Sequence, residues 1–253
     1  MSQPLLDRRD FVRLGAISGA GALLFGCRKP APCPPAPAAP TPAPRTVATM
    51  TKDWRQALTP KEIVDLARAG NQRFVKDERR DRDYLHDRAA TAAGQHPAAV
   101  VLSCIDSRAP SEIILDAGIG DMFNARIAGN FVDRDLAGSM EFACAVAGAK
   151  VVLVMGHTSC GAIKGAIDGA KLGNLTALLQ KLTPAVHAVK NVKGPRTSKN
   201  AAFVDAVATA NVRLTLKEIR RISPVLAGME KKGKILMAGA MYHVETGQVQ
   251  FLA

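Results

Sequence analysis

Two rhythms of apolar and polar positions run along this chain. Short apolar runs at 98–103, 122–127, 151–155 and 234–242 have strand length and end at Gly, Pro or charged residues. Between them apolar residues return every three or four positions, which predicts helices at 84–93, 138–148, 159–168, 174–182, 184–190 and 201–222. A further helix opens at Thr59-Pro60-Lys61-Glu62, with Thr59 as cap, Pro60 in the first turn and Glu62 as reciprocal partner; Ile63, Leu66, Ala67 and Phe74 continue its stripe. Pro184 should divide the middle helical stretch, and Asn200 should cap the last long helix. Residues 191–199 read as a polar loop, and 248–252 as a strand pairing with 234–242 across Glu245-Thr246-Gly247. Strands alternating with helices predict an α/β fold: a mostly parallel central sheet, helices on both faces and an antiparallel edge strand.

The first fifty residues follow neither rhythm. Arg8-Arg9 precede an apolar stretch at 14–25, which at about a dozen residues is short against the roughly 20 needed to cross a bilayer. Paired arginines before such a stretch read as a twin-arginine export signal, placed at 1–27. Leu24-Phe25-Gly26-Cys27 resembles a lipoprotein cleavage box, although Phe25 is bulkier than usual there, so Cys27 is a candidate lipid anchor; cleavage farther along would instead release a soluble protein. Residues 28–50 are rich in Pro and Ala and read as an extended tether. The expected location is outside the cytoplasm: periplasmic, or tethered on the outer side of the cytoplasmic membrane. Residues 51–253 then form one domain with one core.

The formal net charge is +12 over 253 residues, and +4 of it lies in residues 1–45. The remaining basic residues are spread, with one Trp and two Tyr in the whole chain, so nothing resembles the aromatic and basic interleaving that stacks on bases. No nucleic-acid partner is expected. Of five cysteines, Cys144 sits in a helical run and reads as a core residue, while Cys104 and Cys160 need a chemical reason.

Cys104 follows the first apolar run in Ser103-Cys104-Ile105-Asp106-Ser107-Arg108, and Cys160 follows the third in Gly156-His157-Thr158-Ser159-Cys160-Gly161. In a parallel sheet the carboxyl ends of strands share one rim, where ligands bind. Cys104, His157 and Cys160 are therefore a candidate set of zinc ligands, three in number, and a catalytic zinc leaves its fourth position open. Cys160 also falls at a helix start, where backbone amides favour a thiolate. Asp106 and Arg108, two apart on an extended segment, can form a two-point carboxylate–guanidinium clamp and are the candidate catalytic pair. Asp106 could accept a hydrogen bond from bound water or fill the fourth position itself. A Cys104–Cys160 redox pair is the alternative without metal.

Cys104-Ile105-Asp106-Ser107-Arg108 and Gly156-His157-Thr158-Ser159-Cys160-Gly161-Ala162 together resemble the β-class carbonic anhydrases. Supporting pieces are Gly70-Asn71-Gln72-Arg73-Phe74, Gly120-Asp121-Met122-Phe123, Ala128-Gly129-Asn130, Gly138-Ser139-Met140-Glu141 and Tyr242-His243-Val244-Glu245-Thr246-Gly247; Ile127 departs, since the family often has Asn there. The resemblance implies reversible hydration of carbon dioxide to bicarbonate by zinc-bound hydroxide. It assigns one Zn2+ per subunit to Cys104, His157 and Cys160, and the acid–base dyad to Asp106 and Arg108. It also implies a homodimer or homotetramer. His86 and Tyr84 are candidates for proton transfer, with a plain surface role the blander reading. Two thiolates donate more charge than histidines, so activity should rise above neutral pH. A carbon disulfide or carbonyl sulfide hydrolase on the same fold, and a non-enzymatic zinc or bicarbonate-binding module, are the other functions compatible with these residues.

Overall fold

The structure is a computed structural model that describes residues 48–252. The expected export signal, Cys27 and nearly all of the tether lie outside the described residues. Among the described residues no helix is long and apolar enough to cross a membrane.

The expected strands form one sheet. β1 (Ala99–Ser103), β2 (Met122–Arg126), β3 (Val151–His157), β4 (Leu236–Tyr242) and β5 (Val249–Phe251) lie in the order β2-β1-β3-β4-β5. The first four pair in parallel, and β5 runs antiparallel to β4 at one edge. Every residue of β1 and of β3 is buried, as expected of parallel strands covered on both faces.

The period-2 alternation splits the core in two. Val100, Leu102, Val152 and Val154 face α9 (Ala201–Ile222) and its neighbours, where Phe203, Val204, Val207 and Val212 are buried. Val101, Leu153 and Met155 face the other way, onto Ile63 and Val64 of α2 (Pro60–Val75). Each such side chain removed from water contributes about 1.5–3 kcal/mol before the entropy of ordering is counted. An apolar cavity of about 80 Å³ remains on the α2 side, lined by Met50, Trp54, Ile63, Leu153 and Phe251 among others; none of the candidate ligands lines it.

Local signals explain the helix boundaries. The Thr59–Glu62 capping box is complete, with Thr59 Oγ1 accepting from the Glu62 amide and Glu62 Oε2 accepting from the Thr59 amide at 2.7 Å. Asn200 caps α9 by accepting from the Phe203 amide. Around Pro184 the chain divides as expected into α7 (Gly173–Gln180) and α8 (Thr183–Ala188). Two features differ. The helix expected at 138–148 is α5 (Arg134–Glu141), capped by Asp133, running into a π-helical turn at Phe142–Val146 in which Ala147 N–H reaches back to the Phe142 carbonyl. Cys144, buried in that turn, is a core residue as its pattern predicted. The apolar pattern also did not signal three helices, α1 (Lys52–Ala57), α4 (Ser111–Ile114) and α10 (Pro224–Lys231), the last opened by Pro224.

Asn71 of α2 locks the β5 edge. Its side chain donates to the carbonyls of Ile114 and Gly247 and accepts from the Val249 amide at 2.8 Å. Three of its bonding positions are thus filled in a 5 % exposed site, which holds the turn at Gly247 (φ +75°) against the helix.

Candidate metal centre

Sheet register brings the two motifs together. Ser103, the last residue of β1, pairs with Met155 of β3, so Cys104 and His157 emerge beside each other at the carboxyl rim. Cys160 follows a tight turn through Ser159, which has φ +56°, and stands immediately before α6 (Gly161–Ile167). This turn is tied down. The Ser159 amide donates to Asp205 Oδ1 at 3.0 Å, the Thr158 amide to the Tyr242 carbonyl at 2.9 Å, and Thr158 Oγ1 accepts from the Val244 amide.

One ligand atom from each of Cys104, His157 and Cys160 lies within 4.8 Å of the other two, and all three residues are buried. His157 Nδ1 sits 2.9 Å from the Thr158 carbonyl, which accepts only from an N–H. That fixes the proton on Nδ1 and leaves Nε2 as a lone pair aimed into the site. Nε2 is buried without a hydrogen-bond partner. A buried nitrogen lone pair facing two sulfurs is costly if left alone and well used by a metal ion, so the residues fit zinc.

The sulfurs are not equivalent. The Cys160 thiol donates to Cys104 and holds the Cys104 thiol down to about 4, outweighing burial; His157 and the Gly129 amide, 3.4 Å from the sulfur, act in the same sense. Cys160 goes up instead, first because it keeps the proton shared with Cys104 and then because it is buried. The sequence placed Cys160 at a helix start, where backbone amides lower a thiol's pKa. The amides of Ala162 and Ile163 do act in that direction, but the neighbouring Cys104 thiolate wins. Burial favours neutral His157, yet the Cys104 sulfur beside it raises its pKa overall.

Asp106 is clamped as its spacing with Arg108 predicted. Arg108 donates from Nε and from its backbone amide to Oδ1, both at 3.0 Å, and from Nη2 to Oδ2 at 2.9 Å. These bonds, the guanidinium's above all, hold the carboxyl at about 2. Oδ2 stands 3.8 Å from His157 Nε2, so the carboxylate borders the site. Arg126, at the end of β2, carries out a task the motifs did not announce: it donates from Nε to the Cys104 carbonyl at 2.9 Å and from Nη2 to the Asp106 carbonyl at 2.7 Å. One side chain thereby fixes the backbone of both motif residues. Ile127 is half-buried and packs against the main core cluster. Tyr84 and His86 lie exposed on α3 (Tyr84–Thr91), and among the described residues no hydrogen bond joins their side chains to Asp106 or Arg108.

Comparison with known proteins agrees with this geometry. The family model described as carbonic anhydrase matches residues 99–249. Carbonic anhydrase 2 of Mycobacterium tuberculosis is 32% identical over 185 residues, which cover 71% of this chain and 86% of that protein. The carbonic anhydrase of Pseudomonas aeruginosa is 30% identical over 198 residues, 76% of this chain and 87% of its own. The crystal structure of the β-carbonic anhydrase CafA of Aspergillus fumigatus superposes with a TM-score of 0.56 at 29% identity, over 65% of this chain and 79% of that one. With its two Cys-bearing turns meeting on one rim of the sheet these relatives share, the chain belongs to the β-class carbonic anhydrase family.

Proposed function

We propose that this chain catalyses the reversible hydration of carbon dioxide to bicarbonate and a proton, with one zinc ion held by Cys104, His157 and Cys160. The observation that carries the reading is the lone pair of His157 Nε2, buried, unpartnered and facing two sulfurs, in a member of this family. Zinc, when bound, brings the ionisation of water to about pH 7 and so supplies hydroxide, as it does in carbonic anhydrases with three histidine ligands.

The chain's own groups do the rest. Arg108 occupies both oxygens of Asp106, which orients the carboxylate and keeps it ionised. A carboxyl held at about 2 is a poor store for a proton at neutral pH. Asp106 therefore acts as an oriented acceptor, aligning a water or the hydroxyl of bicarbonate, and the proton passes on to solvent and buffer. Arg108 takes three of the carboxylate's acceptor positions, and Oδ2 stands 3.8 Å from His157 Nε2, which suits Asp106 to accepting a hydrogen bond at the site rather than to holding the ion. Thr158 and Arg126 keep His157 and the 104–106 backbone in place.

The same proposal extends to assembly and location. A homodimer or homotetramer accords with the tetrameric β-carbonic anhydrases of Sordaria macrospora, one of which superposes with a TM-score of 0.58 at 25% identity. The paired arginines and the Cys27 box support export and a possible lipid tether, with 51–253 as the catalytic domain. The test is metal analysis of the purified chain together with stopped-flow carbon dioxide hydration. One zinc per chain and turnover that rises above neutral pH are expected. A zinc-loaded protein that turns over carbon disulfide or carbonyl sulfide but not carbon dioxide would reassign the substrate, and a zinc-loaded protein inert on all of them would make the chain a binding module.

A further inference from the structure

The loop that supplies an amide to the Cys104 sulfur has a backbone that would not hold its shape unaided. Gly129 and Asn130 are successive residues with positive φ, +78° and +39°. The left-handed region costs a residue with a side chain about 1–2 kcal/mol, so Asn130 stays there only if its surroundings hold it. The loop is also closely packed, since a Cβ on Gly129 would stand 2.6 Å from Leu182 Cδ1.

The holding groups come from α9. Asn211 donates its Nδ2–H to the Gly129 carbonyl at 2.7 Å, and one turn later the Thr215 hydroxyl donates to the Asn130 carbonyl at 3.3 Å. Both side chains are 3 % exposed and interrupt a stripe of α9 that is otherwise apolar: Val204, Val207, Ala208, Val212 and Ile219. Polar groups at such positions cost stability unless bonded, and these two are spent on the loop whose Gly129 amide meets the Cys104 sulfur. Gly129 is thus gripped on its carbonyl side by Asn211 while its N–H reaches the Cys104 sulfur at 3.4 Å.

We propose that Asn211 is a positioning residue of the metal centre: acting through Gly129, and supported by Thr215, it keeps an N–H on the Cys104 sulfur and so governs how that sulfur holds zinc. The inference rests on Cys104 being a ligand. An N–H on a ligand sulfur draws charge from it and fixes the direction in which it points. Freeing the loop withdraws that N–H and leaves the sulfur less well aimed at the site. Outer partners of this kind typically alter metal affinity 10–100-fold.

The test uses the full zinc-loaded chain and its cobalt-substituted form. Wild-type protein should show an intense sulfur-to-cobalt absorption band; its absence would remove Cys104 and Cys160 as ligands, and the inference with them. Given that band, Asn211→Ala is expected to lose zinc to a chelator about tenfold faster or more, and to move the band to longer wavelength. Thr215→Val should shift both in the same direction by less. Val212→Ala, which loosens the same helix without touching the loop, should lower Tm and leave band and release rate as in wild type. The inference is overturned if folded Asn211→Ala keeps the wild-type band and release rate whatever its Tm, or if Val212→Ala moves them equally. Should Asn211→Ala fail to fold, Thr215→Val decides alone: a shifted band and faster release support the role, and wild-type behaviour overturns it.

Discussion

Replacing Asp106 by Asn separates orientation from fold. The amide keeps the carboxylate's shape but loses its charge, and its NH2 must face either Arg108 or the site. Arg108 now has three contacts of 2.9–3.0 Å to two carboxylate oxygens, and at least one of its donors loses an acceptor. Arg108 is 55 % exposed, so solvent screens the pair and its loss costs about 1 kcal/mol, a fall in Tm of about 2–4 °C. The rate penalty should be far larger. Losing one preorganised hydrogen-bond partner of the reacting group typically costs about 10²–10³-fold, or about 2.7–4 kcal/mol. The sign of the pH effect follows from the depressed value. Folding lowers the Asp106 carboxyl from 3.8 to about 2, so its ionised form stabilises the fold fully above pH 3.8, and that contribution is lost progressively as pH falls from there through about 2. Between about pH 6 and 9 the stability gap between variant and wild type should therefore stay constant. Stopped-flow hydration with a pH indicator, zinc analysis and thermal melts read the three quantities. A zinc-loaded Asp106→Asn protein whose kcat stays within about threefold of wild type would refute the role given to Asp106.

Three further outcomes are expected. Arg126→Ala removes both donors that hold the Cys104 and Asp106 carbonyls; charged hydrogen bonds of this type are worth about 1.5–3 kcal/mol each, less where water can replace them, so turnover should fall at least about tenfold with partial recovery in Arg126→Lys. Wild-type kcat in Arg126→Ala would show that the 104–106 backbone holds itself. Burial pushes the Cys144 thiol up to about 12, so native protein treated with iodoacetamide near pH 8 should remain unmodified there by peptide mass analysis; rapid labelling would contradict the packing of the π-helical turn. The hydrogen bond between the two sulfurs lowers the Cys104 thiol and raises that of Cys160, so in the metal-free chain the pair shares a proton that zinc loading must expel, and affinity must rise with pH. Calorimetric titration in buffers of different ionisation heat counts that proton, and a count of zero would refute the shared-proton picture.

The strands, the capped helix at Thr59 and both Cys-bearing turns were legible because each depends on short-range periodicity or on residues adjacent in sequence. Asp106 and Arg108 belong to the same class: two residues apart, they meet through local geometry alone. Asn211 left a fainter trace, a polar side chain within an apolar helical stripe, but its target lies 82 positions earlier in the chain. Arg126 reads in sequence as a solvated charge at a strand end, and nothing local says that it folds back over the β1 turn.

By itself, then, the sequence determined the sheet's membership, the two-faced core and the identity of the residues able to grip a metal, since hydrophobic period and ligand chemistry are properties of neighbours along the chain. Only the tertiary structure decided which nitrogen of His157 faces the sulfurs, that the two sulfurs pull each other's thiols in opposite directions, and that α9 supports the loop touching Cys104. Each of those depends on hydrogen bonds and fields between segments far apart in sequence, whose strength falls steeply with distance and angle and exists only once the sheet has aligned its strand ends.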